Sequence, residues 1–237
     1  MSLSSDEIMP VAHKILAVCA HPDDESFGLG AIISTLIDQG ASIDLICLTR
    51  GEASTLGASV RDLAGVRCGE LAAAATALGI NAVHQFDHRD GGLSTLDVGL
   101  LAAEVGPVAA DSDLLLVFDE GGITGHPDHI HATAAAVAVA DRLDLPVLAW
   151  TLSAQVADTL NAEFNGRFVG RADDEIHVRL PVERTRQWAA MRCHDSQLAA
   201  NPVPERRIAL TGDVEPLRFL RRSQRPRRTT QPAKEPT

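Results

Sequence analysis

No tyrosine occurs in this 237-residue chain, so whatever chemistry it performs proceeds without a phenolic hydroxyl. No stretch approaches the roughly 20 apolar residues that a spanning helix needs, and the apolar run nearest the N-terminus, Ile15 to Ala20, is short. Positive charge is missing where a secretory signal requires it, because the N-terminus carries Asp6 and Glu7 instead. The expectation is a cytoplasmic protein with no membrane association. Cysteine is sparse too: Cys19, Cys47, Cys68 and Cys193 lie far apart with no C-x-x-C spacing. They read as reduced residues, three of them in apolar or helical contexts. Basic residues are outnumbered, 21 against 32 acidic ones, for a net charge of -11. That balance argues against nucleic acid or an anionic membrane as the main partner and leaves small-molecule chemistry.

What is present is an alternating pattern. Strands are predicted at Lys14 to Cys19, Ile43 to Leu48, Val83 to Phe86, Leu114 to Phe118, Val147 to Thr151 and Ile176 to Leu180, most of them apolar enough for burial on both faces. Helical patterns fall between them, at Phe27 to Gln39, Val60 to Leu78, Val98 to Ala109, Asp128 to Arg142 and Val182 to Cys193. This order predicts a single-domain α/β fold, Rossmann-like, with a mostly parallel sheet and helices on both faces. Ligands of such sheets gather outside the carboxyl ends of the strands. The domain is expected over residues 1–217. Arg221, Arg222, Arg225, Arg227 and Arg228, with prolines and no sizeable apolar cluster after Leu220, predict a flexible basic tail over residues 218–237.

The first strand runs into CAHPDDESFGLG, residues 19 to 30, where one histidine and three carboxylates crowd into five positions. One reading is a plain helix start, with Pro22 in the first turn and Asp23, Asp24 and Glu25 at the positive end of the dipole. A phosphate cradle is a second reading, but Gly28 and Gly30 follow three carboxylates that repel pyrophosphate. The turn suits a cation. Further on, FDEGGITGHPDHIHAT, residues 118 to 133, again follows an apolar strand and again reads His-Pro-Asp before a helix, with His129 three residues after His126. Together the two turns offer imidazole and carboxylate ligands of the kind zinc accepts, and a catalytic zinc commonly takes three of them. Asp24 and His129 each fall three residues after a histidine, so each enters a first helical turn where adjacent strand ends can bring the sets together. A metal there lowers the pKa of water toward 7, and a nearby carboxylate remains to take the proton.

Taken with GE at Gly51 and Glu52, VRCGELAAAATALGI at Val66 to Ile80, RDGGL at Arg89 to Leu93 and HDSQ at His194 to Gln197, the two turns resemble the LmbE-like or PIG-L family of zinc-dependent N-deacetylases. That family includes the deacetylases of mycothiol and bacillithiol synthesis and the glycosylphosphatidylinositol precursor de-N-acetylase. The similarity runs over most of residues 14 to 200. It implies that His21, Asp24 and His129 bind zinc and that Asp23 is the general base. It implies further that His126 stabilises the oxyanion and protonates the leaving amine, that Asp128 orients His126, and that Arg67 and Asp90 grip sugar hydroxyls. One position departs from the mycothiol enzymes, whose pattern has a tyrosine where this chain has Thr124.

The reaction expected from the resemblance is removal of an N-acetyl group from an N-acetylglucosaminyl-type substrate, a small amino sugar or glycoside. An amidase acting on a thiol conjugate or another N-acyl group is the alternative within hydrolases, and a Rossmann-like metal or ligand-binding module without turnover is the alternative outside them. Two histidines and an aspartate suit ferrous iron as well as zinc. Oligomeric state stays open. Of the other histidines, His131 is two residues from His129 and should face elsewhere. His84 and His88 read as loop or packing residues, His88 with a second reading at the sugar pocket, and His13 and His177 read as structural. His194 stands equally as a helix-end residue or a pocket wall.

Overall fold

The computed structural model describes residues 12–199 and 201–224. Strands β1 (Lys14–Cys19), β2 (Ser42–Thr49), β3 (Ala82–His88), β4 (Leu114–Phe118), β5 (Val147–Trp150), β6 (Val178–Pro181) and β7 (Val214–Arg221) form one sheet in the order β3-β2-β1-β4-β5-β7-β6. Neighbours from β3 through β5 run parallel, while β7 lies antiparallel between β5 and β6. The helices are α1 (Asp24–Phe27), α2 (Gly30–Asp38), α3 (Leu63–Leu78), α4 (Val98–Ala109), α5 (Gly122–Gly125), α6 (Pro127–Leu143), α7 (Ala154–Phe164), α8 (Thr185–Met191), α9 (Asp195–Leu198) and α10 (Val203–Thr211). No helix among the described residues is long and apolar enough to cross a membrane.

The strands are apolar along their length because both faces of the sheet are covered. Along β1, Ile15, Ala17 and Cys19 point into one core with Ile32 of α2, Leu71 of α3 and Ala190 of α8. Leu16 and Val18 point into the other, with Leu101 and Val105 of α4 and Ala135 and Val139 of α6. This is the single-domain α/β architecture expected. From β1 the chain builds outward to β3, then returns with β4 on the other side of β1. The strand order therefore reverses between β1 and β4, the place where such sheets leave a crevice at their carboxyl ends.

Some local boundaries differ from the sequence pattern. The helix expected over Phe27 to Gln39 is broken after Phe27 and resumes at Gly30. The helix expected from Val60 begins at Leu63, behind Asp62, whose carboxylate caps it by accepting the Gly65 N–H at 3.1 Å. The larger correction concerns the C-terminal segment. Residues 218–221, expected in a tail, complete β7. There Arg221 reaches Asp141 and Asp144, each at 2.8 Å, and Arg218 reaches Asp119 at 3.4 Å and Glu120 at 3.2 Å. Paired guanidinium heads let the stems lie along the sheet, so the arginines are compatible with a strand. Residues 225–237 lie outside the described residues.

β7 also carries the anchor of the C-terminal third. Glu215 is fully buried and accepts from Arg184 Nη1 at 2.7 Å, Arg207 Nη1 at 2.5 Å and Trp150 Nε1 at 2.9 Å. Arg207 goes on to the Phe27 carbonyl at 2.6 Å, and Gln187, itself held by Arg184, donates to the Ser26 carbonyl at 3.1 Å. The short helix α1 is thus clamped from the far end of the chain. Glu215→Ala leaves two buried guanidiniums without their carboxylate, and the unfolding free energy in urea should fall by about 3–5 kcal/mol. A loss under about 1 kcal/mol, the worth of an exposed pair, would contradict the clamp.

Candidate active site

Both His-Pro-Asp turns leave the carboxyl ends of neighbouring strands, β1 and β4, at the reversal of strand order. In the first turn Asp24 folds back on the strand, its Oδ2 accepting the N–H groups of Ala20 at 3.0 Å and His21 at 2.9 Å. Asp23 stands at the N-cap of α1 with φ 118°, a left-handed conformation that costs a non-glycine residue about 1–3 kcal/mol. In the second turn His126 caps α6, its Nδ1 accepting the Asp128 N–H at 3.2 Å, with Pro127 in the first helical turn. Helix-start chemistry is therefore part of what fixes this turn.

Acceptor atoms of three residues, with both oxygens of Asp24, come close together between the turns. His21 Nδ1 is 3.2 Å from His129 Nε2, His129 Nε2 is 3.1 Å from Asp24 Oδ1, and His21 Nδ1 is 3.8 Å from Asp24 Oδ2. Ligands bonded at about 2.0–2.2 Å in a tetrahedral zinc site stand roughly 3.3 Å apart, close to the His21–His129 and His129–Asp24 Oδ1 spacings, while the 3.8 Å spacing runs to Asp24 Oδ2, the oxygen that accepts the backbone N–H groups. The protonation of this His21, Asp24 and His129 triangle also fits. His129 Nδ1 lies 3.1 Å from the Gly122 carbonyl, which can only accept, so the ring proton sits there and Nε2 presents a lone pair. On the far side of His21, Nε2 donates toward Asp90 Oδ1 at 3.2 Å and Asp128 Oδ2 at 3.3 Å, which turns the Nδ1 lone pair into the triangle. Among the described residues, the sets that keep one ligand atom per residue within 4.8 Å of one another are His21 with His126 and His129, and His21 with Asp90 and Asp128. The second of these lies on the Nε2 side, where N–H to carboxylate bonds already account for the spacing.

Charge in the site is concentrated. Burial opposes a cationic imidazole at His21, yet the Asp128 and Asp90 carboxylates outweigh it and raise the pKa to about 10. Burial likewise opposes the Asp24 carboxylate, but His129 and His21 hold it well below the usual range. Asp23 takes the opposite course: burial pushes it up, Arg67 pulls it down, Asp24 repels it, and the balance stands at about 6. Its side chain keeps 18 % of its surface open. His126 is lowered by burial and by the neighbouring His129 and His21, so it is neutral at pH 7, its ring 4.8 Å from that of His21. The Asp128 N–H on Nδ1 leaves the His126 proton on Nε2.

Of the eight residues expected at the site, His21, Asp24, Asp90, Asp128 and His129 are tied together by direct contacts, Asp23 and Arg67 pair with each other, and His126 packs against the rings of His21 and His129. The side chain of Asp128 does not orient His126. It accepts the Gly91 N–H at 2.8 Å and the Leu93 N–H at 3.1 Å and faces His21, because the loop after β3 presents those donors. Only the Asp128 backbone touches His126. Arg67 is 3 % exposed, its Nη1 on the Gly51 carbonyl at 2.7 Å and its Nη2 on Asp23 Oδ2 at 2.9 Å and on the Pro22 carbonyl. Asp90 is buried between His21 and the Ala53 N–H at 2.9 Å. Arg67 therefore backs Asp23, and Asp90 backs His21. Sequence reading left out Glu25 and His194, which meet at 2.7 Å, and the Gly122 carbonyl. HDSQ was the available signal for His194; a backbone carbonyl leaves none. His131 turns away, its Nδ1 3.0 Å from the Pro127 carbonyl.

A Rossmann-like sheet with an imidazole and carboxylate centre at its crevice, flanked by a tuned carboxylate and a neutral imidazole, defines the class of the protein. The model of the PIG-L family, GlcNAc-PI de-N-acetylase, matches residues 16–140. The chain belongs to this family. A 1D-myo-inositol 2-acetamido-2-deoxy-alpha-D-glucopyranoside deacetylase of Mycolicibacterium vanbaalenii is 30% identical over 246 residues, spanning 85% of this chain and 86% of the relative. Among solved structures, the zinc-inhibited form of teicoplanin deacetylase Orf2 superposes with a TM-score of 0.67 at 18% identity, over 89% of this chain and 99% of that one. GalB, the 4-carboxy-2-hydroxymuconate hydratase of Pseudomonas putida KT2440, superposes with a TM-score of 0.60 at 18% identity, over 93% of this chain and 100% of that one. The fold alone thus does not select a reaction.

Gly28 explains the glycines after the acids. A Cβ there would stand 2.5 Å from Phe118 Cζ and 2.8 Å from Trp150 Cζ3, so the backbone of this turn is packed against aromatic rings. Phe118 in turn lies edge-on to His129, with ring centroids 4.8 Å apart. Gly28→Ala should destabilise the fold by about 1–3 kcal/mol through overpacking, and should also weaken metal retention because Phe118 must move against His129. Equilibrium dialysis with zinc and thermal unfolding check this. Wild-type values in both would show that the packing is slack.

Proposed function

We propose that the chain is a metal-dependent hydrolase that removes the N-acetyl group from an N-acetylglucosaminyl-type small molecule, releasing acetate and a free amine. Family membership and the deacetylase relative support this class of reaction. The observation that carries it for this chain is the pairing of Asp23, raised to about 6 and partly open, with the cluster of His21, Asp24 and His129 side chains. Zinc is the preferred ion for two imidazoles and one carboxylate at tetrahedral spacing, and ferrous iron suits the same donors.

When bound, the cation supplies the positive charge that acidifies water and polarises the amide carbonyl. Asp23 takes a proton from the attacking water, whose oxygen bonds to the amide carbon. Arg67 steadies the Asp23 carboxylate through Oδ2. His126 Nε2–H donates to the carbonyl oxygen as that oxygen gains charge. As the C–N bond breaks, the nitrogen needs a proton, and Asp23 is the better source than His126. A neutral imidazole that gives up its Nε2 proton becomes an imidazolate, whereas a carboxyl near 6 gives up its proton readily. No phenol assists, since the chain has no tyrosine and Thr124 stands exposed in α5, two residues before His126. Contact of Arg67 or Asp90 with sugar hydroxyls remains part of the proposal and requires each to exchange a protein partner for the sugar.

A panel of N-acetylglucosaminyl compounds and bulkier N-acyl conjugates, assayed for primary-amine release by metal-analysed protein, tests the substrate class. Release from bulky conjugates alone would favour the broader amidase reading. Asp23→Asn should keep about one metal ion per chain yet lose 10²- to 10⁴-fold in rate, roughly the worth of a general base. Asp24→Asn should lose metal and regain part of its rate in excess zinc. Full activity in the Asp23 variant, or the metal losses reversed between the two, would overturn the division of roles.

A further inference from the structure

The Asp23 backbone is held in an unfavourable conformation, φ 118° and ψ -26°, by contacts made to few atoms. Its N–H donates to Glu25 Oε2 at 2.9 Å, and its carbonyl accepts the N–H groups of Ser26 at 3.0 Å and Phe27 at 2.7 Å. Glu25 is fully buried, and its other oxygen, Oε1, accepts from Ser26 Oγ at 2.6 Å and His194 Nε2 at 2.7 Å. A carboxylate taken out of water at this depth is costly unless each lone pair finds a donor. Here the donors come from the turn itself and from one histidine supplied by the far end of the chain.

His194 is equally committed. It is fully buried, its ring packs edge-on against Phe27 at 5.8 Å, and Nδ1 has no hydrogen-bond partner. The ring makes one directed bond, to Glu25. Its place is fixed by the rest of HDSQ: Ser196 is bound by Glu70 of α3 at 2.7 and 2.8 Å, and Gln197 accepts from Ser54 at 2.7 Å and donates to the Leu56 carbonyl at 3.3 Å. A rigid mount thus ends in a single imidazole aimed at the carboxylate that grips Asp23.

We propose that Glu25 and His194 are a positioning pair for the general base, holding the Asp23 backbone in its left-handed turn so that the carboxylate stands beside the His21, Asp24 and His129 triangle; this rests on the reading of Asp23 as base. Neither residue touches substrate. Both act through the Asp23 N–H, and Arg67 fixes the other end of the same side chain. The pair separates two demands on adjacent residues, since Asp24 bonds back to the strand through Ala20 and His21 while Asp23 must point elsewhere.

The test compares His194→Gln, whose amide nitrogen takes the place of Nε2, with His194→Asn, whose shorter amide takes the place of Nδ1 and does not reach Glu25. Metal content, kcat, KM on the best substrate of the amine-release panel and thermal unfolding are measured on zinc-loaded protein, each substitution also in the Asp23→Asn background. His194→Gln should keep most of the rate. His194→Asn should lose on the order of 10- to 100-fold in kcat, the effect of a base displaced by about an ångström, with KM and metal content unchanged. In the Asp23→Asn background His194→Asn should cost nothing further, because the group it positions is gone. Equal losses in both backgrounds would assign His194 to general packing and overturn the pair, as would a wild-type kcat in folded His194→Asn. If Asp23→Asn itself keeps the full rate, the base reading fails and the pair fails with it, a result distinct from the other two. Should His194→Asn not fold, Asp23→Gly decides: relief of the left-handed strain should raise the unfolding temperature above that of Asp23→Ala, and no difference would mean that no strain is being held.

Discussion

Two imidazole nitrogens and the two oxygens of the Asp24 carboxylate, with nearest spacings of 3.1–3.8 Å, repel one another unless a positive charge sits among them. The surrounding bonds enforce this. The Gly122 carbonyl fixes the proton of His129 on the outer side of its ring, and Asp90 and Asp128 do the same for His21. A proton on His21, whose pKa the Asp128 and Asp90 carboxylates raise to about 10, supplies such a charge, and a divalent cation would supply it more completely. The rest of the structure serves to keep three like groups in a place they would otherwise leave.

The fold does this from several directions. Parallel β1 and β4 set the two turns side by side where strand order reverses. The loop after β3 supplies the N–H groups of Gly91 and Leu93 that hold Asp128 against His21. The C-terminal third reaches back through Arg207, Gln187 and His194 to α1, so the turn bearing Asp23 and Asp24 is pinned by residues distant in sequence. Phe118 and Trp150 close the floor beneath Gly28. The strain at Asp23 is tolerable because these contacts over-determine the turn.

Much of this was legible in the sequence, for physical reasons. Strands buried on both faces write continuous apolar runs, and a histidine, a proline and acids after such a run mark a helix start and a ligand turn at once. The family resemblance added roles that spacing alone does not assign. What escaped depended on partners far away in the chain. The arginines of β7 read as a tail because their partners, Asp119, Asp141 and Asp144, lie on other elements. Glu25 and His194 are 169 residues apart, and nothing local in HDSQ says which carboxylate it meets. The burial of Arg67, whose sugar contact is implied by the resemblance alone, follows from where the Gly51 turn passes. The direction of the Asp128 carboxylate is set by backbone donors, which leave no mark in side-chain pattern.

X-ray absorption at the metal edge of zinc-loaded protein reads the proposed ligand set of His21, Asp24 and His129 most directly. Two imidazole nitrogens and a carboxylate oxygen at about 2.0–2.2 Å with no sulfur are expected, with the imidazole signal halved in His129→Ala and unchanged in His126→Ala. Sulfur in the coordination shell, or a spectrum indifferent to His129→Ala, would contradict the account.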